Sequence, residues 1–469
     1  MASVEQVKIP EGYKQTEIGV IPENWNVSSL LEIAHLERGK FSARPRNDPR
    51  FFNGRMPFIQ TGDISRFNGK NVTFSQTLNE QGIKVSRVFP KNTLFFTIAA
   101  NIGDVAIVPY SVACPDSLIA INTRTHINKY WLIQALKYRK KEFELLATSN
   151  AQLNINLEKL NPYLLPVPSQ EEQTAIANAL SDVDSLIASL ETLIAKKSAI
   201  KTAAMQQLLT GKKRLPGFEK LGTNQGEKQD CDHLADNNST NEATQINASL
   251  TKNTGQTAPR PGYKQTELGE IPEDWEVKPL GSIGESIIGL TYSPNDVADF
   301  GSLVLRSSNV QKNRLAFENN VFVNMNLPDR VIVREGDILV CVRNGSRQLI
   351  GKCALIDEKT AGSAFGAFMS IYRTEFSKFV FFQFQSNIIQ NQINEVMGAT
   401  INQITNKDMA GFKIPLPKNE EEQTAIANVL SDMDTELDAL QQRLSKTKKI
   451  KQGMMQELLT GKTRLLNVS

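Results

Sequence analysis

The chain carries nearly the same text twice. Residues 12–27, GYKQTEIGVIPENWNV, recur as GYKQTELGEIPEDWEV at 262–277, with 12 of 16 positions identical. EEQTAIANALSDVD at 171–184 recurs as EEQTAIANVLSDMD at 421–434, with 12 of 14 identical. MQQLLTGKKRL at 205–215 recurs as MQELLTGKTRL at 455–465, with 9 of 11 identical. All three pairs are offset by 250 residues. Solenoid repeats run about 20–50 residues, so this is one duplicated unit of opening motif, body and closing motif. The bodies diverge. TGDISRFNGKNVTF (61–74) stands where the second copy has RSSNVQKNRLAF (306–317), and NIGDVAIV (101–108) answers to GSRQLIGKCALI (345–356). A duplicated enzyme is expected to keep its site residues and let its surface drift. Here the scaffold motifs are kept and the bodies vary, as a reader of two different targets requires.

The closing motifs read as long helices. Residues 169–211 hold no Pro, and no Gly before Gly211. Apolar residues fall at Ile176, Leu180, Val183, Ile187, Leu190 and Ile194, and again at Ile426, Leu430, Met433, Leu437, Leu440 and Leu444. The alternating four-and-three spacing is the seam of a left-handed coiled coil. Ser169 with Glu172, and Asn419 with Glu422, match the capping-box start, and Gly211 and Gly461 match a glycine stop. Each helix is expected to run about 40 residues, roughly 60 Å. Two matched seams favour pairing with one another over each packing on its own body, and antiparallel pairing makes a rigid spacer. Lys197 and Lys201 in one copy, and Thr447 and Lys451 in the other, interrupt the seam.

Each body shows short apolar β-rich runs, such as 88–99, 101–110, 330–342 and 352–356, and helical stretches at 128–148 and 378–397. This is a mixed α/β, or α+β, pattern. Polar loops between the runs hold residue types that can read bases and phosphates. Arg pairs guanine bidentately and Asn or Gln pairs adenine, while Lys, Ser, Thr and backbone N–H groups suit phosphates. In the first body the candidates are Arg38, Lys40, Arg44, Arg46, Arg66, Asn68, Lys70, Asn101, Gln152, Asn154 and Asn156. In the second they are Tyr292, Arg306, Ser307, Asn309, Gln311, Arg343, Asn344, Ser346, Arg347, Thr400, Asn402 and Gln403. Solvated polar loops are the plainer alternative for any one of them. Residues 26–167 carry 18 Lys and Arg against 10 Asp and Glu; residues 276–417 carry 14 against 13. Charge alone would draw only the first body to a phosphate backbone.

Other chemistries lack their residues. The chain has three histidines and four scattered cysteines with no C-x-x-C pair, a poor supply for acid–base catalysis, zinc or a disulfide framework. No catalytic residue and no metal ligand is singled out. Asn161-Pro162-Tyr163 lacks the second proline of an adenine-methylase tetrapeptide, and Gly461-Lys462-Thr463 lacks the first glycine of a Walker loop. Pro115-Asp116 is followed by no E-x-K. No run of 18 apolar residues is present, and the N-terminus lacks the apolar core of a secretory signal. Residues 216–261 are polar and read as a flexible linker, in which Cys231 and His233 are incidental rather than ligands.

Two variable bodies, each leading through a Pro-bounded strand into a helix that starts EEQTAIA (LLPVPSQEEQTAIA and KIPLPKNEEEQTAIA), resemble the specificity (HsdS) subunit of type I restriction–modification systems. GATINQI at 398–404 is similar to the family's loop ahead of that strand, and SNAQLNI at 149–155 departs from it in detail. The resemblance implies two target-recognition domains, residues 1–167 and 262–417, and two helical spacers, 168–215 and 418–469, joined through 216–261. It implies that the spacers pair antiparallel and that each domain reads half of a bipartite, asymmetric site in double-stranded DNA. It further implies two modification (methyltransferase) subunits bringing S-adenosylmethionine, and two restriction (translocase and nuclease) subunits bringing ATP and Mg. The chain itself then holds no cofactor and no catalytic residue, and works in the cytoplasm of a bacterium or archaeon in phage defence. A self-contained DNA methyltransferase or nuclease with an unrecognised site, and a peptide-binding scaffold, are the alternatives.

Overall fold

The strand that ends each body lies beside the strand that begins it. Asn26–Ser29 pairs antiparallel with Leu164–Val167, and Trp275–Pro279 pairs antiparallel with Lys413–Pro417. Each body is thereby closed, and its long helix starts next to its own opening motif. The computed structural model describes residues 9–67, 72–147, 154–219, 259–397 and 402–466. The chain divides into two compact units, Met1–Lys196 with Asp438–Ser469, and Lys197–Leu437.

In the first unit a central antiparallel sheet runs in the order Ala34–Arg38, Leu118–Thr123, Thr93–Thr97, Val105–Val108. Its inner strands are buried on both faces, which is why they read as continuous apolar runs. Leu94, Phe96, Ile119 and Ile121 meet the helices Lys129–Tyr138 and Lys140–Ala147 through Trp131, Leu132, Leu136 and Phe143. The alternate residues Phe95, Leu118 and Ala120 pack under a second sheet with Phe89, Val112 and Cys114. That sheet contains a parallel pair, Phe52–Phe58 beside Val112–Cys114.

The second unit repeats the plan. Its central sheet runs Glu285–Ile288, Met369–Arg373, Ile338–Cys341, Cys353–Leu355. Ile338, Val340 and Tyr372 face the helices, while Leu339, Cys341 and Ile371 face the other layer. Ser302–Leu305 is parallel to Ala364–Phe365. The helical stretch expected over 378–397 is two helices, Ser377–Phe384 and Asn387–Val396. They part where the Ser386 hydroxyl bonds the Gln383 carbonyl and the buried Gln383 amide is drawn to Leu209 O and Pro415 O.

The two long helices are Gln170–Leu208 and Glu420–Leu458, each 39 residues. Lys451 pairs with Asp184 and Lys448 with Glu191 in the first unit, each at 2.7 Å. Lys197 pairs with Glu436 at 2.8 Å and Lys201 with Asp434 at 2.6 Å in the second. Partner numbers fall on one helix as they rise on the other, so the helices run antiparallel. The lysines that interrupt the apolar seam are thus where ion pairs replace it. The seam is also not one uniform stripe. Ile176 and Leu180 belong to the first unit's core, with Leu458 and Leu459, and Ile426 and Leu430 to the second's, with Leu208 and Leu209. Leu190 and Leu437 are buried, while Val183, Ile187, Ile194, Met433, Leu440 and Leu444 are half-buried.

All three recurring motifs meet at one buried cluster in each unit. Glu172 is 1% exposed. It accepts the Trp25 indole N–H at 2.9 Å and both arms of Arg464 at 2.6 and 2.8 Å. Glu422 does the same for Trp275 at 3.1 Å and Arg214 at 2.8 and 2.6 Å. Arg214 also reaches Asp274 at 2.9 Å, where the first copy has Asn24. The capping-box expectation is half corrected. Ser169 Oγ accepts from the Glu172 amide, but the Glu172 carboxylate turns inward to the arginine instead of back to the cap. Tyr13 O–H bonds Gly461 O at 2.8 Å and Tyr263 O–H bonds Gly211 O at 3.0 Å. Gly211 and Gly461 hold φ of +69° and +74°, and a Cβ on either would lie within 2.5 Å of Pro272 or Pro22.

Removing one partner of a buried pair leaves the other charge uncompensated. Arg464→Ala is expected to lower the stability of the first unit by about 3 kcal/mol, at the low end for such pairs because the arginine is partly exposed. Arg260→Ala, which removes a surface pair with Glu270, is expected to cost less than about 1 kcal/mol. Urea denaturation of the two variants checks this; equal midpoints would show that the cluster adds nothing.

Candidate nucleic-acid interface

Polar candidates collect at one edge of each central sheet, because two strands end there on either side of a third that begins there. In the first unit Arg38 is opposite Ile119 and Thr97 is opposite Leu118. The segments after Arg38 and after Thr97 therefore leave the same edge. In the second, Ile288 and Val340 are both opposite Ser370. A third segment joins each edge through an isolated bridge, Ala99 with Asn154 and Arg343 with Gln403. A fourth comes from the parallel pair: Asn101 Nδ2 bonds Ser65 Oγ at 3.0 Å, and Asn344 Nδ2 bonds Ser307 Oγ at 3.1 Å.

The two edges match residue by residue in their frame. Ile98 N bonds Ser117 O and Ile155 N bonds Ile98 O; Val342 N bonds Phe368 O and Ile404 N bonds Val342 O. The Gln60 amide donates to Asp63 Oδ2 at 2.8 Å, and the Arg306 amide donates to Asn309 Oδ1 at 3.0 Å. Lys40 N bonds Cys114 O, and Leu290 N bonds Phe365 O. Gly39 and Gly289 precede them, and a Cβ on either would sit 2.2 Å from a carbonyl oxygen across the sheet. On this shared frame the outward residues exchange. Arg38, Gln60, Ala99, Ser117 and Asn154 of one edge correspond to Ile288, Arg306, Arg343, Phe368 and Gln403 of the other, while exposed Lys40 has buried Leu290 as its counterpart.

In the first unit Arg38, Lys40, Arg44 and Arg46 are exposed. Arg38 Nε donates to Asp116 O at 2.6 Å and Arg46 pairs with the Asp116 carboxylate at 3.1 Å. Arg44 folds onto its own loop, donating to Ala43 O at 2.7 Å. Arg66 is paired with Asp63 at 2.5 Å. Asn156 caps the helix Leu157–Leu160 by accepting the Lys159 amide at 3.1 Å, so its side chain oxygen serves the fold. Asn68, Lys70 and Gln152 lie outside the described residues.

In the second unit Arg306, Arg343, Ser346 and Arg347 are exposed, and Ser307, Asn344, Asn402 and Gln403 are half-buried among them. Asn402 Nδ2 donates to Gly345 O at 3.1 Å, and Asn344 Oδ1 accepts the Ser346 amide at 2.9 Å. Arg347 donates to Asn394 O and Met397 O at 3.3 and 3.4 Å. Tyr292 packs half-buried against the outer-layer core. Gln311 lies on the hairpin Val310–Gln311 with Arg314–Leu315; Asn313 in its turn bonds Gln385, and Arg314 bonds Asp434 O on the long helix. Thr400 lies outside the described residues.

Asn309 is the clear correction. It is fully buried, and its amide donates to Ala316 O at 2.8 Å and Asn320 Oδ1 at 3.1 Å while its oxygen takes the Arg306 amide. It supports the loop and does not face a ligand, as buried Asp63 does in the first unit. Sequence reasoning missed Phe368, which is 57% exposed with the Arg343 guanidinium 5.2 Å from its ring centre. It also missed Asp116 as the anchor of two arginines. The signal for Phe368 was an aromatic residue in an otherwise small-residue turn, Gly366-Ala367-Phe368.

Burial pushes the Cys114 and Cys353 thiols well up and Cys341 up to about 11, so all three are inert packing groups. Among the described residues no group of three or more His, Cys, Asp or Glu is placed to hold a metal ion. No helix among them is long and apolar enough to cross a membrane.

A family model described as the type I restriction modification DNA specificity domain matches residues 22–198 and 272–451. The Methanocaldococcus jannaschii protein assigned as the MjaX type I restriction enzyme specificity subunit is 26% identical over 472 residues, spanning 97% of each chain. The MjaVIII type I restriction enzyme specificity subunit of the same organism is 22% identical over 478 residues, spanning 100% of each. The type I restriction–modification S subunit from M. genitalium shares the fold, with a TM-score of 0.54 over 93% of this chain and 96% of its own at 17% identity.

The frame and the outward residues are separable by measurement. Asn309→Ala leaves the Arg306 amide and the Ala316 carbonyl unpaired and is expected to destabilise the second unit by about 1–3 kcal/mol. Arg306→Ala is expected to stay within about 0.5 kcal/mol of the parent while weakening DNA binding. Thermal melts alongside a binding titration test both.

Proposed function

Because the chain belongs to the type I restriction–modification DNA specificity family, two copies of whose domain cover most of its length, we propose that each unit reads one half of a bipartite, asymmetric DNA site with its loop edge. As a specificity subunit the chain recognises DNA and is not itself an enzyme, so no cofactor is expected on it. One observation carries the bipartite reading: two edges share backbone hydrogen bonds and glycine positions, yet present different side chains at the same five outward places. Direct readout needs that combination, since base edges differ while the geometry of approach does not.

Two modification subunits dock against the specificity subunit and bring S-adenosylmethionine to a flipped adenine in each half. Two restriction subunits add ATP- and Mg-dependent translocation and cleavage. All of this takes place in the cytoplasm, where the DNA is. Arg38, Lys40 and Arg46 in one unit, and Arg306, Arg343 and Arg347 in the other, supply the positive charge at the edges. The described residues of 216–261 are only its two ends, 216–219 and 259–261; the segment serves as the tether between the copies.

Co-expression with the methyltransferase subunit, followed by sequencing of methylated genomic DNA, is expected to give a split motif with unlike halves. Exchange of residues 26–167 for the matching segment of another family member is expected to change one half only. A continuous motif, or methyl transfer by the isolated chain, would overturn the proposal. DNA affinity of the complex is expected to fall steeply with salt; salt-insensitive binding without DNA would favour a protein scaffold.

A further inference from the structure

We infer that Phe368 is a positioning residue that presents Arg343 to a guanine in the half-site read by the second unit. The inference rests on the reading that this unit meets DNA through its loop edge. It adds which side chain discriminates, which base it takes, and what holds it in place.

Most candidate arginines already have oxygen partners. Arg38 and Arg46 bind Asp116, Arg44 binds its own loop, Arg66 binds Asp63, and Arg347 binds two carbonyls at the end of a helix. Among the described residues, the Arg343 guanidinium has no hydrogen bond or ion pair; it is exposed, and the Phe368 ring lies 5.2 Å from it. The main chain beneath is fixed on two sides. Arg343 N bonds Phe368 O at 3.1 Å, and Arg343 bridges to Gln403 on the neighbouring segment. Asn344, next along, is committed to Ser307 and the Ser346 amide. Arg343 is thus a free donor on a rigid base.

Phe368 is 57% exposed and belongs to no core cluster. Its ring face attracts a guanidinium and orders a side chain that would otherwise sample many rotamers. The planar donor pair then remains directed outward, in the geometry that matches guanine O6 and N7. The pair is also absent as a pair. On the equivalent frame of the first unit, Ala99 stands for Arg343 and Ser117 for Phe368.

The test uses the full chain with its methyltransferase subunit and a DNA pool randomised in the half-site of the second unit. The parent complex is expected to require guanine at one position. Arg343→Lys and Phe368→Ser are each expected to lose roughly tenfold or more of that discrimination, with the other positions, the other half-site and the melting temperature unchanged. Phe368→Tyr keeps a ring face and is expected to retain it. If Arg343→Ala weakens all sequences equally and flattens the salt dependence, Arg343 grips a phosphate and the inference fails. It also fails if the preference survives Phe368→Ser, or if no guanine position responds to Arg343→Lys in a complex that does recognise a split site. A parent complex with no preference in either half would instead overturn the reading beneath it.

Discussion

A buried carboxylate organises this chain. Removing Glu172 or Glu422 from water is costly unless the charge is met by good partners, and each is met by an indole N–H and a two-armed arginine. The tryptophan comes from the opening motif and the glutamate from the start of one long helix. The arginine follows the end of the other. Neither copy of the repeat completes its cluster alone, because Arg214, at the close of the first copy, serves Glu422, and Arg464, at the close of the second, serves Glu172. That exchange ties the three recurring stretches of both copies together.

Much of this was legible before any coordinates. The 250-residue offset announced two units of one plan, and the absence of Pro and Gly over 169–210 announced the helices. Short apolar β-rich runs such as 88–99 announced strands, though not that they are buried on both faces. What failed to show was partnership across the sequence. Glu172 three residues after Ser169 looks like a capping box because local spacing is all that a sequence displays, whereas its carboxylate answers to Arg464, 292 residues away. The seam residues show a related limit. Periodicity tells which face of a helix is apolar and not all that covers it: Ile176 and Leu180 lie in the first unit's core together with Leu458 and Leu459 of the other helix, and Leu190 lies in a stretch flanked by cross-helix ion pairs.

The candidate interface was legible by segment and not by residue. The polar loops do converge at sheet edges, yet a list of Asn, Arg and Ser cannot separate ligands from supports. Asn309 and Asn156 are supports, one buried and one capping a helix, because short amides satisfy nearby backbone groups as readily as they meet a base. Gly39 and Gly289 are supports of another kind, giving the strand end room to pass a carbonyl. With these supports in place, the outward positions can change without disturbing the edge, and specificity can diverge while the fold does not.

Net charge proved the least informative of the sequence measures, and the reason is local pairing. Residues 26–167 hold eight more cations than anions and residues 276–417 only one more, from 18 against 10 and 14 against 13. Yet at the first edge Asp116 takes up Arg46 and its carbonyl takes up Arg38, while Asp63 takes up Arg66. At the second edge Arg306 and Arg343 have no carboxylate partner among the described residues. A ligand arriving at the edge meets the residual field of unpaired groups within about a Debye length, ~8–10 Å in physiological salt, and not the sum over a domain. The weakly charged unit therefore carries two guanidinium groups without a carboxylate partner at its edge, while in the strongly charged one Arg46 and Arg66 are paired with carboxylates.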